Sequence, residues 1–312
     1  MSEFRSQLKT GVRTGIKKGW GSFVWICKII IPVSFVAALL QWSGWLDHLD
    51  FLLHPLMSLI NLPAAAALPI IVAMTVSFYA GIAIIIVMPF TIAQITLIAL
   101  FITIAHMLIA EGIVQHKSGL HVIKATLVRI GAAALCVFVV SHFFADTGQS
   151  INLPASLASQ APFIEVLKDW ALDTLRLCGR VFLIIMLIMM ALHASESLGW
   201  IKHLVRFFRP LMKILGLPDQ AVMTWVTGAG FGLLYGSAVI MEEAKRGALA
   251  KEELEHVQVS LGVNHSVVEE TGLFLALGVN PLWLLIPRFV LSIIAVHTLR
   301  GVQYLRRKLL PK

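Results

Sequence analysis

A polar run interrupts one of the most apolar parts of this chain. Residues 261–272 read LGVNHSVVEETG, which places Asn264, His265, Ser266, Glu269 and Glu270 between apolar neighbours. If a helix continues through the run, His265 and Glu269 are four residues apart, share one face and can pair. Imidazole and carboxylate groups can also hold protons, divalent ions or polar solutes. This run is therefore the first candidate for a binding site.

A sparser pair lies earlier in the chain. His106 and Glu111 stand alone in IALFITIAHMLIAEGIV, residues 98–114. An ionisable group at membrane depth costs about 2.5–3.5 kcal/mol or more, so such groups persist where they face a cavity, a partner or a pathway. Two interpretations stay open. His265 and Glu269 pair with each other or with Arg288, or the polar groups serve a solute, a proton or an ion.

A metal site is a further alternative. His265, Glu269 and Glu270 are the candidate ligands, because one imidazole and two carboxylates can bind a divalent ion. One His beside two adjacent Glu is a weak metal signature. The sequence predicts no cofactor, and its three cysteines form no CxxC pair.

The composition is that of an integral membrane protein. Hydrophobic residues make up 58% of the 312 and charged residues 13%, whereas soluble proteins carry about 25% charged residues. Runs of about 20 apolar residues span a bilayer. One such run is Phe23–Trp42, and another apolar run covers 181–192. The other candidate membrane segments are roughly 64–86, 89–115, 121–144, 219–240, 257–277 and 281–299.

The chain contains an internal repeat. GWLDHLDFLLHPLMSLINLPAAA from Gly44 aligns without gaps with GWIKHLVRFFRPLMKILGLPDQA from Gly199, at an offset of 155. Matched Gly, Trp, His and Pro residues in one register are not expected by chance in a Leu- and Ala-rich chain. At an offset of 159, the matched pairs are His106/His265, Glu111/Glu270 and Arg129/Arg288.

Charge predicts that the two copies lie in opposite orientations. Segment 44–61 has two Asp and no Lys or Arg, whereas segment 199–216 has four Lys or Arg and no acid. Because Lys and Arg favour the cytoplasmic side, these equivalent segments belong on opposite sides. We therefore expect an all-α integral membrane protein of two inverted-topology repeats. An inverted pair needs an odd number of crossings per copy, and each copy has four apolar segments, so broken or re-entrant helices are expected.

The glycine-rich segment 224–238, TWVTGAGFGLLYGSA, is the expected hairpin. Close helix packing is the alternative explanation for so many glycines. Thr227, Gly228 and Gly230 join the candidate binding residues on this basis.

Basic residues at both ends place both termini in the cytoplasm. Phe4, Leu8, Val12 and Ile16 recur every four residues beside basic residues, which suits an amphipathic helix on the inner leaflet. An anchor that directly precedes the first span is the favoured alternative. The predicted parts are a basic amphipathic segment (1–19), a first repeat (20–145), an extracytoplasmic linker (146–174), a second repeat (175–300) and a basic cytoplasmic tail (301–312). The predicted location is the inner, or plasma, membrane.

These motifs resemble a known family. The paired PLM…LP pattern, the glycine-rich segment, NHSVVEETGLFLALG and the last helix with its arginine resemble the nucleoside-recognition, or Gate, domain proteins. Relatives of that family include spore maturation proteins A and B and the membrane part of ferrous-iron transport protein B. The resemblance covers about residues 20–300, once per repeat. It implies a polytopic inner-membrane protein with re-entrant hairpins and a transport-like role, and it fixes no substrate. The iron transporter's gate segments carry cysteines near their breaks, and residues 224–240 and 261–272 have none, which argues against iron.

Three functions follow as hypotheses. The first is a secondary transporter for a small polar solute, such as a nucleoside, with its site near the bilayer midplane between the repeats. The second is a divalent-metal permease, and the third is a membrane scaffold that transports nothing. No HExxH, P-loop or GxGxxG motif is present, so we do not expect an enzyme. The expected partners are the bilayer and a small solute or ion, with a homo-oligomer as an option; nucleic acid is not expected.

Overall fold

The computed structural model describes residues 2–44, 53–145, 162–230, 232–233 and 249–309, and every regular element in these ranges is helical. The expectation of an all-α chain is confirmed. Short helical pieces cover 53–58 and 222–230. The main helices are α1 (Ser2–Trp42), α2 (Ala67–Thr75), α3 (Phe78–Val87), α4 (Ile92–Ala105), α5 (Leu108–Lys117), α6 (Val122–Ser141), α7 (Phe163–Ser197), α8 (Ile201–Ile214), α9 (Lys251–Val263), α10 (Val267–Ala276) and α11 (Pro281–Leu309).

Helices α1 and α7 pack antiparallel along most of their length. The Sγ atoms of Cys27 and Cys178 lie 3.8 Å apart, and the Trp170 indole donates to the Ser34 hydroxyl at 3.1 Å. Towards the end of α1, Trp42 meets Phe163, at the start of α7. Residue numbers therefore rise along α1 as they fall along α7.

Glycines permit the close approach of these two helices. A Cβ atom on Gly15 would lie 2.6 Å from the carbonyl oxygen of Met189, and one on Gly11 would lie 2.6 Å from that of His193. Contacts this short with backbone leave no room for a side chain, as in other small-residue helix interfaces in membranes.

Helix α4 is the central element of the first half. Every residue from Thr96 to Ala105 is buried, and a helix that is apolar on all sides needs surroundings that cover it completely. Helix α6 packs along α4, and α11 packs along α9. The two core helices α4 and α9 each end at a break in the chain, and these breaks position the candidate site.

Several expected membrane segments are divided. Segment 64–86 separates into α2 and α3 at Val76 and Ser77, segment 89–115 divides between α4 and α5, and segment 257–277 divides between α9 and α10. Ser77 caps α3 by accepting from the amide of Ala80. In the expected hairpin 224–238, the described part up to residue 230 continues as helix. Most of the rest lies outside the described residues.

Three predicted boundaries differ from the helix ends. The linker 146–174 ends sooner, because α7 begins at Phe163, directly after Pro162, whose fixed φ suits the residue before a helix. The basic segment 1–19 is continuous with the first span in α1, which is 41 residues long. The tail 301–312 is helical as far as Leu309.

Within the described part of the chain, five helical stretches are long and apolar enough to cross a membrane: Phe4–Trp42, Ile92–Lys117, Val122–Ser141, Phe163–Ser197 and Pro281–Leu309. Their outward faces carry large apolar side chains, among them Leu127, Leu175 and Ile286. Such a continuous apolar surface fits a lipid environment and would be a liability in water.

Candidate functional site

Two breaks of the same form bring the candidate residues together. Helix α4 gives way to α5 at His106 and Met107, and α9 gives way to α10 at His265 and Ser266. Met107 has φ +45° and Ser266 has φ +48°, the left-handed region that costs a residue with a Cβ about 1 kcal/mol or more. Strain of this size persists only where surrounding contacts hold it.

The contacts that hold the two breaks also match. The Met107 amide donates to the Ala73 carbonyl at 2.9 Å, and the Ser266 amide donates to the Gly228 carbonyl at 3.4 Å. The matching glycines Gly119 and Gly278 have φ +105° and +89°. Local backbone conformation therefore repeats at the offsets seen in the sequence.

A buried arginine closes each break. Arg129 from α6 and Arg288 from α11 each donate to two backbone carbonyls at the end of the broken helix, where intrahelical partners are missing. In a membrane, water is not available to satisfy these carbonyls. The distances are Arg129 Nε to Ile104 O 2.8 Å, Arg129 Nη2 to His106 O 2.8 Å, Arg288 Nε to Val263 O 3.1 Å and Arg288 Nη2 to His265 O 2.7 Å.

Each arginine also pairs with a carboxylate on the helix that follows its break. Arg129 Nη2 lies 2.7 Å from Glu111 Oε2, and Arg288 Nη1 lies 3.1 Å from Glu270 Oε2. All four side chains are at most 3% exposed. Charge-assisted pairs of this kind are the arrangement in which buried ions are tolerated.

The two halves meet through their histidines. His106 Nε2 lies 3.3 Å from Glu111 Oε1 and 3.4 Å from Glu270 Oε1, and His265 Nε2 lies 3.2 Å from Glu111 Oε2. The two imidazole centroids are 4.9 Å apart. These residues and the arginines are called the His–Glu–Arg cluster below; its members are His106, Glu111, Arg129, His265, Glu270 and Arg288.

Hydrogen bonds fix the tautomer of both rings. His106 Nδ1 lies 2.8 Å from the Ile102 carbonyl, and His265 Nδ1 lies 2.9 Å from the Leu261 carbonyl. A carbonyl oxygen only accepts, so Nδ1 carries the hydrogen in each ring. In a neutral ring, Nε2 then presents a lone pair to a carboxylate oxygen, which also only accepts. A proton or a metal ion between them would turn this repulsion into attraction.

The charge balance decides which cation fits better. Arg129 and Arg288 offset Glu111 and Glu270 when the carboxylates are ionised. The half-buried Glu269 adds one more carboxylate beside the cluster. One added proton then makes the site neutral, whereas a divalent ion leaves it positive. Because uncompensated charge is costly at low dielectric, the balance favours a proton.

The pairing of His265 with Glu269, part of one interpretation that the sequence left open, is not formed. It assumed an uninterrupted helix, but α9 ends at Val263, so the two residues do not share a helix face. Glu269 instead accepts a hydrogen bond from the Tyr79 hydroxyl of α3. The predicted alternative pairing with Arg288 is also wrong for Glu269, since Arg288 binds Glu270.

The other predicted residues lie at or near the second break. Asn264 is buried, and Ser266 is half-buried. Gly228 packs on Leu261, whose side chain a Cβ would approach to 2.7 Å, so in this part of the glycine-rich segment close packing is observed. Among the described contacts, none joins Thr227 or Gly230 to the cluster.

The site roles of Arg129, Arg288 and Tyr79 do not follow from the sequence alone. The two arginines were visible as a matched pair at offset 159. Charged residues at equal positions of two apolar helices are a signal of buried partners. Tyr79 carried no such signal, because only packing brings α3 beside α10.

A groove of about 320 Å³ lies between α1, α2 and α3. Its lining is apolar and includes Pro32, Val36, Leu40, Leu68 and Val72. Such a surface suits a lipid chain and offers nothing to orient a polar solute. The cluster remains the candidate site.

Comparison with known proteins supports the membrane assignment. The chain is 29% identical over 280 residues to an uncharacterized membrane protein, YvoD, of Bacillus subtilis (strain 168), covering 88% of this chain and 87% of the relative. This chain is a membrane protein. No protein-family model and no solved structure matches it.

Proposed function

We propose that this membrane protein is a secondary transporter for a small polar solute, coupled to a proton that the His–Glu–Arg cluster takes up and releases. The observation that carries the proposal is the cluster itself, which holds six ionisable side chains at most 4% exposed. Ionisable groups at this depth mark proton or ion pathways in transporters. The protein would act without enzymatic chemistry of its own.

The proton is held between the halves of the molecule. Protonation of His106 gives its Nε2 a hydrogen to share between Glu111 and Glu270, which belong to different halves. Loss of that proton restores repulsion between the ring and both carboxylates. The contact between the halves is therefore attractive with the proton and repulsive without it. Such a contact can switch the halves between two packing arrangements.

An inverted relation of the two repeats is part of the proposal. Helices α1 and α7 begin the two halves and run antiparallel. A pseudo-two-fold axis in the membrane plane that relates the two repeats would produce this arrangement. The matching breaks at offset 159 support a structural repeat, and the antiparallel course of α1 and α7 supports its inversion. In transporters of this plan, the site lies near the midplane at the contact of the repeats, beside broken helices.

The Gate-domain resemblance fits this proposal but rests on the motifs alone. The relative's name supports only a membrane protein. For orientation, Arg206, Arg209 and Lys213 are exposed on α8, and positive-inside logic places that helix, with both termini, on the cytoplasmic side of the plasma membrane.

A divalent-metal permease is the second candidate. Ligand atoms of His106, His265 and Glu270 all lie within 4.8 Å of one another. Both rings present Nε2 while Nδ1 donates to a carbonyl, the arrangement usual for metal-binding histidines. A divalent ion is less favoured than a proton, because it would leave a net positive charge in the buried cluster.

Reconstitution tests the proposal. Purified protein in proteoliposomes should take up radiolabelled uridine when an inward proton gradient is imposed. Glu270→Gln should abolish uptake, because the neutral amide lacks the negative charge that balances a proton on His106. Asp173→Asn is the matched control, since Asp173 pairs with Arg176 on the exposed face of α7 and should transport normally.

Each outcome is informative. Uptake that does not depend on the proton gradient would refute proton coupling. Uptake of Mn²⁺ or Zn²⁺ in place of uridine would favour the metal permease. If neither uridine nor metal moves, and Glu270→Gln only lowers the melting temperature, the cluster is structural and the scaffold hypothesis is preferred.

A further inference from the structure

Besides other atoms of the cluster and the hydroxyls of Thr174, Thr224 and Thr271, buried polar atoms on α5, α6 and α9 have no hydrogen-bond partner among the described residues. Gln115 Oε1, both amide atoms of Gln258 and Arg129 Nη1 are buried and have no hydrogen-bond partner among the described residues. Gln115 and Gln258 are 0% exposed and Arg129 is 1% exposed. Each buried group left unpaired costs about 1–3 kcal/mol, so several in one place need a reason.

Gln115, Arg129 and Gln258 are connected around one glycine, Gly262. Gln258 lies one turn before Gly262 on α9, so the two share a face. A Cβ on Gly262 would lie 3.1 Å from Gln115 Nε2 and 3.4 Å from Arg129 Cγ. Gln115 Nε2 also donates to the Gln258 carbonyl at 2.8 Å. The side chains of Gln115 and Arg129 therefore pack on Gly262, and Gln115 is tied to the backbone of Gln258.

The equivalent positions of the repeat show that the fold does not need these amides. At an offset of 159, the counterparts of Gln258, Gln115 and Gly262 are Ala99, Phe274 and Thr103. Phe274 and Ala99 are buried apolar residues.

The counterpart of Arg129 is also satisfied. Arg288 Nη1 bonds Glu270, whereas Arg129 Nη1 is unpaired among the described residues. The same break and the same arginine bridge thus form with Ala99, Phe274 and Thr103 in place of Gln258, Gln115 and Gly262. The amides occupy one of two equivalent positions of the repeat, which points to binding and not to folding.

We infer that Gln115, Gln258 and Arg129 form the recognition part of the solute site, and that they take an uncharged solute with a donor beside an acceptor, such as a lactam or carboxamide edge. The inference rests on the proposed transport function and names its substrate class. A carboxamide pairs with such an edge through two hydrogen bonds, donating from Nε2 and accepting at Oε1. The charge of Arg129 is already balanced by Glu111, so the site offers no free cation to an anionic solute.

Thermal unfolding of the purified full-length chain tests the inference with uracil as an uncharged lactam probe. Uracil should raise the melting temperature of the wild type by mass action. Gln258→Leu and Gln115→Leu should weaken uracil binding about tenfold or more, as expected for loss of a hydrogen-bonded pair. Orotate, which adds a carboxylate to the same ring, should give a smaller shift than uracil.

A paired glutamine provides the matched control. Gln303 bonds His256 at 2.7 Å and Glu255 at 2.6 Å. Gln303→Leu should lower the melting temperature without the probe and keep the uracil shift. Gln258→Leu should melt no lower than the wild type without the probe, because leucine removes unpaired polar atoms at similar volume.

The outcomes separate this inference from the transport proposal. If uracil stabilises the wild type and Gln258→Leu equally, recognition lies elsewhere and the inference is wrong. The same follows if uridine uptake in proteoliposomes depends on the proton gradient but is unchanged in Gln258→Leu. If uracil, 2-pyrrolidone and acetamide all fail to bind, and Gln258→Leu melts higher, the amides hold only water and the inference is overturned, with proton coupling tested independently by Glu270→Gln.

Discussion

Replacing Arg288 with methionine tests whether the buried arginines hold the broken helices. Arg288 is 0% exposed and donates to the carbonyls of Val263 and His265 and to the carboxylate of Glu270. Methionine has a similar length and can occupy much of the same volume, so cavity formation contributes little. The decrease in the free energy of unfolding therefore reports mainly the loss of the polar contacts of Arg288.

The expected loss is large. Removing one partner of a buried ion pair costs about 3–5 kcal/mol, since the remaining charge is left uncompensated. Two backbone carbonyls also lose their donor, at about 1 kcal/mol each if the break relaxes. The sum is about 5–7 kcal/mol, a large part of the 5–15 kcal/mol that is typical of whole proteins. At roughly 2 °C per kcal/mol for a chain of this size, the melting temperature should fall by about 10 °C or more.

The measurement is thermal unfolding in detergent, followed by size-exclusion chromatography. The double variant Arg288→Met/Glu270→Gln should recover part of the loss, because it removes both charges. Arg176→Met is the control: this arginine pairs with Asp173 in an exposed position, and its loss should cost less than about 1 kcal/mol. A fall of under about 2 °C for Arg288→Met would refute the role assigned to the arginine bridge.

Two further predictions concern the α1–α7 contact. Gly15→Leu should lower the melting temperature by about 5 °C, since its Cβ alone would lie 2.6 Å from the Met189 carbonyl oxygen. The control Gly21→Leu should change the melting temperature little, because nothing described lies within 4 Å of a Cβ there. Equal effects of the two substitutions would contradict the close packing of α1 on α7. Mild oxidation with copper phenanthroline should join Cys27 and Cys178, whose Sγ atoms lie 3.8 Å apart. Maleimide labelling of the denatured chain should then detect one free thiol of the three. Three free thiols would contradict the contact between α1 and α7 at these cysteines.

Much of the cluster can be recognised in the sequence, because an ionisable residue inside an apolar segment is costly to bury whatever the fold. His106, Glu111, His265 and Glu270 stood out as ionisable residues among apolar ones, and they lie together in the structure. Their matched spacing also predicted positions with equal local structure, and Met107 and Ser266 have nearly equal φ values. Neither observation required knowledge of how the helices pack.

The partners could not be found in this way. A helical pattern alone suggested that His265 would pair with Glu269, but the chain breaks between them, and Tyr79 of another helix takes the carboxylate. A break of this kind is decided by groups distant in sequence: Arg288 satisfies the carbonyls that the helix leaves open. Local periodicity does not contain that information.

The sequence by itself determined the environment and the repeated plan of this protein. Its apolar composition requires a membrane, since the free energy of transferring a side chain out of water depends on its residue type and not on how the helices pack. Only the tertiary structure decided which ionisable groups meet, because hydrogen bonds and ion pairs depend on distances of a few ångströms between residues far apart in the chain. It also decided that Gln115 Oε1 and both amide atoms of Gln258 have no partner among the described residues, which is the observation behind the proposed solute site.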